Sequence, residues 1–209
     1  MPIGHQPRTQ RAIARRLGLV GDVNFSDDNT LTAEIYIDAD AAVIVALGGN
    51  LPGARDSVES LLEAALGAFD AHGLRVVARS AWWRSAAWPD PAEPPYVNGV
   101  AVVETGFSPH AVLEALHAIE RAFGRKRHVP NAPRTLDLDL IAHGRRIVDE
   151  AGFHVPHRRA HERRFVVGPL AQILPGWVHP QLGQTAENLA ASAKIGMDAA
   201  PITPRATLR

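Results

Sequence analysis

The chain has 209 residues, 46% of them hydrophobic, and a formal net charge of zero, so it can bury one substantial core. It contains no cysteine, which excludes disulfide bonds, thiolate metal sites and a thiol nucleophile. No long apolar run and no signal-like apolar segment occur, so we expect a cytoplasmic protein with no membrane partner.

Residues 1–40 differ in composition from the rest of the chain. A basic start leads into a polar stretch, and the segment shows no convincing core pattern. We therefore predict a mobile N-terminal extension with a short strand at 31–37. A globular domain is expected over 41–195, followed by a C-terminal tail over 196–209.

The first half of the predicted domain reads as a strand, a helix and two more strands. An apolar run at 42–47 ends in a glycine-rich loop, which is typical of a buried strand. Apolar residues at helical spacing predict a helix over 55–71. A strand at 74–83 precedes the proline-rich segment 86–95, and a third strand follows at 96–104.

The second half begins with a helix whose N-cap is Ser108, with Pro109 in the first turn and Gly124 at its end. A fourth strand is predicted at 136–142, and short helices near 161–166 and 186–193. The order βαββαβ is that of the split βαβ unit in α+β, ferredoxin-like folds. This pattern predicts an antiparallel sheet with helices packed on one face.

Two carboxylates mark the fourth strand. Because side chains alternate along a strand, Asp137 and Asp139 point to one face while the neighbouring leucines point into a core. Two like charges placed in this way attract a cation. An amphipathic strand with one wet face is the alternative interpretation.

A basic field surrounds this strand. Residues 121–164 hold eleven of the 22 Lys and Arg residues against five acids, and ten of the eleven are arginines. Arginine forks suit bidentate contacts with phosphate, and a polyphosphate with Mg²⁺ would satisfy both signs of charge. Nucleic acid would also suit the arginines, but it gives Asp137 and Asp139 no obvious role outside a nuclease or polymerase.

Residues 42–191 resemble the 6-hydroxymethyl-7,8-dihydropterin pyrophosphokinase family. The resemblance lies in the order and spacing of several motifs, namely Ala46-Leu47-Gly48-Gly49-Asn50-Leu51, Tyr96-Val97-Asn98, Ile119-Glu120 with Gly124-Arg125, Pro133-Arg134-Thr135-Leu136-Asp137-Leu138-Asp139, and Val155-Pro156-His157 with Arg163 and Phe165. It implies an αβα sandwich with helices flanking the sheet. It also implies transfer of diphosphate from ATP to a reduced pterin alcohol, with AMP released, in folate biosynthesis.

The resemblance implies roles for individual residues. Asp137 and Asp139 would hold two Mg²⁺ ions that bridge the ATP phosphates and the attacking hydroxyl. Arg125 and Arg134 would join them in catalysis. Nucleotide contacts are expected from a wider set, which comprises Glu120, His117, Arg127, Arg134, Leu140, His157 and Arg163. On the sequence alone, Glu120 is as well explained by an ion pair on the helix surface.

For the pterin, the resemblance implies an aromatic sandwich of Tyr96 and Phe165, with the Asn98 amide on the heterocycle. Without the resemblance, Phe165 would be interpreted as a core residue. A mobile loop is expected to meet the pterin edge through Ser85, Ala86, Ala87 and Trp88.

Three positions depart from the family pattern. Asn131 stands where a large residue is common, Gly152 where some members have arginine, and Arg158 where tyrosine or proline is found. These differences are expected to affect the reaction rate and the nucleotide affinity more than the kind of reaction.

A zinc site at His154, His157 and His161 is disfavoured because Pro156 interrupts any continuous helix there.

Two other functions remain open at this stage. A different magnesium-dependent nucleotide transferase would keep the aspartates and arginines without needing a pocket for a flat ring. A non-enzymatic RNA-binding module of ferredoxin-like fold is the second, although its strands would carry few aromatics. We expect small-molecule substrates, no nucleic acid and no obligatory protein partner.

Overall fold

The structure is a computed structural model that describes two short strands at 23–25 and 31–33 and residues 37–87, 90–124 and 135–203. The chain divides into two units, Met1–Asp38 and Ala39–Arg209. In the first unit, β1 (Val23–Phe25) pairs antiparallel with β2 (Leu31–Ala33), and β2 lies within the strand predicted at 31–37.

The second unit alternates strands and helices in the predicted order and then continues with further short elements. In chain order these are β3 (Val43–Gly49), α1 (Val58–Gly67), β4 (Arg75–Arg79), β5 (Trp83–Ser85), β6 (Tyr96–Glu104), α2 (Pro109–Ala122), β7 (Asp137–His143), β8 (Val148–Glu150), β9 (Phe153–Val155), α3 (Arg164–Ile173), α4 (Ala186–Ser192) and β10 (Ala200–Pro201). Single 3₁₀ turns occur at Asp70–His72 and Ala160–Glu162.

One six-stranded antiparallel sheet organises this unit. Its strand order is β10-β5-β6-β3-β7, and β4 also pairs with β6. If β4 and β5 are counted together, the order of the four main strands is that of a ferredoxin-like βαββαβ unit. The predicted α+β fold is therefore confirmed, and β8 and β9 form a separate pair.

Local sequence explains where the two main helices begin. Ser57 caps α1 in a reciprocal capping box with Ser60, whose backbone N–H donates to the Ser57 hydroxyl at 3.1 Å. Ser108 caps α2 and Pro109 occupies the first turn, as predicted. Gly124, with φ of 79°, follows the end of α2.

One face of the sheet packs against α1 and α2 to form the main core. Alternate residues of each strand face this side, including Val45, Ala101 and Leu138, all at most 2% exposed. They meet Leu62 of α1 and Leu116 of α2, which are fully buried. Burial of each such leucine contributes roughly 1.5–3 kcal/mol, so this face provides much of the stability.

The other face is covered in part by α3, which packs on β6 and β5. Gly168 lets α3 approach closely, because a Cβ there would lie 2.7 Å from Cζ3 of Trp83. Helices therefore flank both faces, as the family resemblance implies, rather than only one, as the bare element pattern predicted. A ferredoxin-like RNA-binding module needs an exposed sheet face for base stacking, so this coverage argues against that alternative.

Two predicted elements differ in extent. The strand predicted at 74–83 is two strands, because Ser80 and Trp82 interrupt it: the Ser80 hydroxyl accepts from the Val100 N–H, and the Trp82 ring lies on Gly99. The helix predicted at 161–166 extends as α3 to Ile173, through Gly168 and Pro169. Gly168 packs closely on Trp83 at this point, although Pro169 has no backbone N–H to donate.

Residues 194–203 lie against the sheet and α3. Within the described part of the predicted tail 196–209, Ala200 and Pro201 form β10 and pair with Arg84 and Trp83. Within the part of the chain that the structure describes, no helix is both long enough and apolar enough to cross a bilayer.

Candidate active site

A cavity of about 150 Å³ opens between the sheet and the start of α3. Its floor comes from the strands β3, β6 and β7, one wall from β5, and the opposite wall from α3. It is lined by Ala46, Leu47, Gly48, Ser85, Ala86, Tyr96, Asn98, Asp137, Asp139, Arg163, Phe165 and Val166. Most of the described residues that the sequence assigned to chemistry therefore line one space.

Three residues form a row across the cavity floor. Gly48 of β3 pairs with Asn98 of β6 on one side and with Asp137 of β7 on the other. Paired residues on neighbouring strands point to the same face, so the amide and the carboxylate face the same space with only a glycine between them. A Cβ on Gly48 would lie 3.2 Å from Oδ1 of Asn98, so the glycine keeps this floor open.

Asp137 and Asp139 are half-buried and both line the cavity, in the alternation expected of strand residues i and i+2. Asp139 pairs with Ala46, so small residues lie opposite both carboxylates. Among residues 37–87, 90–124 and 135–203, no group of three or more His, Asp and Glu side chains is placed to hold a metal ion. A pair of carboxylates nevertheless fits Mg²⁺, which binds through one or two carboxylates and completes its shell with phosphate and water oxygens.

The strand that carries the two aspartates is held from α2 by a buried carboxylate. Glu120 is 1% exposed, and its Oε1 accepts a hydrogen bond of 2.8 Å from the Leu138 N–H. Glu120 therefore does not lie on the helix surface, where the alternative interpretation placed it. His117 is half-buried on the same helix, and neither residue lines the cavity.

Leu140 packs in the core on the far side of the sheet, with 4% of its surface exposed. Its side chain faces away from Asp137 and Asp139, because its position in the strand differs from theirs by an odd number of residues. The predicted nucleotide contact of Leu140 can therefore involve only its backbone.

His157 is fixed beside β7 through its backbone, whose N–H donates to the Ile141 carbonyl at 2.8 Å. Burial, and then the positive charge of Arg163, lower the pKa of the imidazole from 6.5 to about 4, against an opposing effect of Asp137. The ring is therefore neutral at pH 7. Its Nδ1 accepts from the Arg159 N–H at 3.2 Å, which leaves the proton on Nε2.

The end of the cavity away from the two aspartates combines two aromatic residues with a polar pair. Tyr96 pairs with Ser85 across β6 and β5, and Nδ2 of Asn98 donates to the buried Ser85 hydroxyl at 3.1 Å. Phe165 is half-buried at the start of α3, with the guanidinium carbon of Arg163 5.8 Å from its ring centroid. This end has the flat apolar surfaces and the amide that a planar polar ring requires.

Several predicted contacts fall elsewhere. Trp88, Arg125, Arg127, Arg134 and Asn131 lie outside the described residues, and Ala87 is buried without lining the cavity.

The three histidines considered as a zinc site have separate partners. Nδ1 of His154 lies 2.7 Å from Oδ1 of Asp149, whereas the ring of His161 contacts the ring of His179. His157 is anchored beside β7 instead. The described residues therefore provide no support for zinc binding here.

Sequence reasoning did not assign roles to Gly48, Ala46 and Val166, which also line the cavity. Glycine inside an apolar strand signals a close approach of another group, so Gly48 carried a usable signal. Ala46 was marked only as part of a motif of the family resemblance, and Val166 carried no signal, because only the position of α3 brings it to the site.

Comparison with known proteins identifies relatives of this chain. The family model described as 7,8-dihydro-6-hydroxymethylpterin-pyrophosphokinase (HPPK) matches residues 44–175. A 2-amino-4-hydroxy-6-hydroxymethyldihydropteridine pyrophosphokinase of Synechocystis sp. is 42% identical over 143 residues, which are 68% of this chain and 71% of that protein. The protein of the same name from Pseudomonas aeruginosa is 38% identical over 160 residues, covering 76% and 96% of the two chains.

A solved structure supports the fold independently. Wild-type HPPK-DHPS of Plasmodium falciparum superposes with a TM-score of 0.57 at 12% identity, covering 72% of this chain and 44% of that longer chain. The chain thus spans less than half of that protein. The sequence matches and this architecture together show that the chain belongs to the 7,8-dihydro-6-hydroxymethylpterin-pyrophosphokinase family, whose members transfer diphosphate from ATP to the pterin alcohol in folate biosynthesis and depend on magnesium.

Proposed function

We propose that Asp137 and Asp139 bind two Mg²⁺ ions together with the ATP phosphates, and that Asn98 holds the pterin at the other end of the same cavity. The observation that carries the proposal is the row Asn98, Gly48, Asp137 across three adjacent strands. Neighbouring strands are about 4.8 Å apart, so the backbones of Asn98 and Asp137 lie about 10 Å apart. A pterin on Asn98 would direct its hydroxymethyl group along the floor toward Asp137.

The chain's own residues supply position and charge, which dominate phosphoryl-type transfer. Magnesium ions would neutralise the polyphosphate and lower the pKa of the attacking hydroxyl. Arg163 lines the cavity and provides a positive charge for the phosphates. The neutral ring of His157, with its proton on Nε2, is suited to donate to a phosphate or ribose oxygen.

For the pterin, Tyr96 and Phe165 provide the two flat surfaces, and Ser85 and Ala86 the edge. Because Nδ2 of Asn98 donates to Ser85, its carbonyl oxygen lies on the Gly48 side and can accept from a ring N–H. Roles for Arg125, Arg127 and Arg134 on the phosphates, for Trp88 at the pterin, and for Glu120, His117 and Leu140 near the nucleotide remain predictions.

The test separates the two ends of the cavity by measuring the affinities of pterin and of a non-hydrolysable MgATP analogue independently. Asn98→Ala should weaken pterin binding at least about tenfold, because the hydrogen bond between the buried amide and the pterin is lost. MgATP binding should change less than about twofold, because ATP makes no contact with this amide. Asp139→Asn should lower the rate of AMP formation about 10³-fold. Glu114→Gln, an exposed carboxylate on α2, is the control and should change neither.

Equal loss of both ligands in Asn98→Ala would contradict the pterin assignment and favour a nucleotide transferase with a different acceptor. The number of metal ions is tested by replacing Mg²⁺ with Mn²⁺ and counting bound ions by electron paramagnetic resonance in the presence of the ATP analogue. We expect two ions per chain. A stoichiometry of one would overturn the two-ion part of the proposal.

A further inference from the structure

The segment of residues 194–202, here called the C-terminal strap, lies beyond residue 175, where the family match ends. It begins beside the wall of the cavity that carries Phe165. The backbone N–H groups of Lys194 and Ile195 donate to the Glu162 carbonyl, and the Ile195 carbonyl accepts from the Arg164 N–H at 2.8 Å. The strap is therefore bonded to the chain on the N-terminal side of Phe165.

Gly196 then brings the strap directly against the Phe165 ring. A Cβ at this position would lie 2.6 Å from Cδ1 of Phe165, closer than real contacts allow. Gly196 also has a φ of +67°, in the left-handed region that favours glycine. Both facts indicate that the backbone of the strap sets the position of this ring.

The far end of the strap holds the opposite wall. A carboxylate oxygen of Asp198 accepts from the Ala86 N–H, at the start of the loop that follows β5. The strap then forms β10 and pairs with Arg84 and Trp83, and the Ile202 N–H donates to the Trp82 carbonyl at 2.7 Å. Ile202 also packs against the main core, which anchors this end.

We propose that the C-terminal strap sets the spacing between the two walls of the pterin subsite, with Gly196 positioning Phe165 and Asp198 positioning the loop that starts at Ala86. This inference rests on the pterin site proposed above. Gly196 acts on Phe165, one of the two aromatic surfaces, whose separation tolerates little change because dispersion attraction falls steeply with a gap of even 1 Å. Asp198 acts on the edge of the subsite through Ala86. Both residues act through the groups that they hold and do not themselves touch substrate.

The chain offers a matched control for Gly196. Gly183 has nearly the same backbone angle, with a φ of +66°, but a Cβ added there would meet nothing within 4 Å. Gly183→Ala and Gly196→Ala therefore share the backbone strain and differ in the collision with Phe165. We expect Gly196→Ala to weaken pterin binding about tenfold, while Gly183→Ala leaves it within about twofold of wild type. The affinity for the MgATP analogue should stay unchanged in both.

Steady-state kinetics and a double-mutant cycle identify the route of the effect. KM for the pterin should rise more than kcat falls, because stacking contributes similarly before and during the reaction. In a Phe165→Ala background, Gly196→Ala should add no further loss of pterin affinity, since the group that it displaces is absent. Asp198→Ala should raise KM for the pterin about threefold, and Asp198→Asn, which keeps an acceptor oxygen, should restore most of it.

The outcomes separate this inference from the proposed function. If Phe165→Ala binds pterin as tightly as wild type, the pterin site itself is misplaced and the inference fails with it. If Phe165→Ala is impaired but Gly196→Ala matches Gly183→Ala, only the inference about the strap is overturned. A parallel loss of MgATP affinity in Gly196→Ala would also overturn it, as a sign of general damage. Should Gly196→Ala fail to fold, equal KM values for Asp198→Ala and wild type would decide against the strap.

Discussion

The two faces of the central sheet share the same strands but differ in role: one packs the main core, and the other carries the candidate site beside buried apolar residues such as Ile44 and Val102. The face toward α1 and α2 packs apolar side chains into the main core, and the buried Glu120 carboxylate of α2 accepts a hydrogen bond from the backbone of β7. The face toward α3 carries Asn98, Asp137 and Asp139 on a floor of glycine and alanine. Because side chains alternate along a strand, every second residue can pack into the core while the residues between them line the site.

The largest expected effect is the loss of stability when a buried side chain is removed from the main core. Leu62 of α1 is fully buried in the core, so Leu62→Ala should lower the free energy of unfolding by about 2–5 kcal/mol, measured by denaturant titration. Turnover well below the unfolding transition should stay within about twofold of wild type. Leu66→Ala on the same helix, where the side chain is only partly buried, is the control and should cost less. A large loss of activity in folded Leu62→Ala would show that the two faces are not independent.

Adding a methyl group at the cavity floor should have a smaller effect, on pterin affinity rather than on stability. In Gly48→Ala the new Cβ would lie 3.2 Å from Oδ1 of Asn98, so the amide must shift. Pterin affinity should fall about tenfold, or about 1.4 kcal/mol, while the free energy of unfolding changes little. Isothermal titration and denaturant unfolding measure the two quantities. Gly106→Ala adds a Cβ in open space and should leave both unchanged; an equal loss of affinity there would refute the steric explanation.

A third expected effect is a dependence of the free energy of unfolding on pH. Burial lowers the pKa values of His157 and His179 from 6.5 to about 4, with further contributions from Arg163 and His161 respectively. Between these pH values the unfolded chain binds more protons than the folded chain, so the free energy of unfolding should decrease as pH falls from 6.5 toward 4. Unfolding titrations at pH 7 and 5 should show this, and His157→Gln should show a weaker decrease. An unaltered slope in that variant would contradict the assigned cause.

Much of this fold follows from local signals. The alternation around Asp137 predicts the two faces of β7, and Ser108 with Pro109 predicts the start of α2. What could not be predicted depends on contacts between distant parts of the chain. Trp82 packs on Gly99 where the predicted strand is interrupted. Trp83 packs on Gly168 within a helix that glycine and proline are expected to end.

The site shows the same division. The pairing of two aspartates on one strand is visible in the sequence, and a family resemblance adds Tyr96, Asn98 and Phe165. The row that joins Asn98 to Asp137 depends on the register of three strands, which no local pattern specifies. The contribution of the C-terminal strap was also hidden, because the partners of Asp198, β10 and Ile202 lie more than a hundred residues earlier.

β7 stands at one end of the sheet, where backbone groups without partners could pair with a second molecule. Two of its groups are instead occupied: the Leu138 N–H donates to Glu120, and the Ile141 carbonyl accepts from the His157 N–H. At the opposite end β10 is only two residues long and contains Pro201, which has no N–H to offer. The contacts that hold the aspartate-bearing strand therefore also occupy backbone groups that edge-to-edge self-association would need.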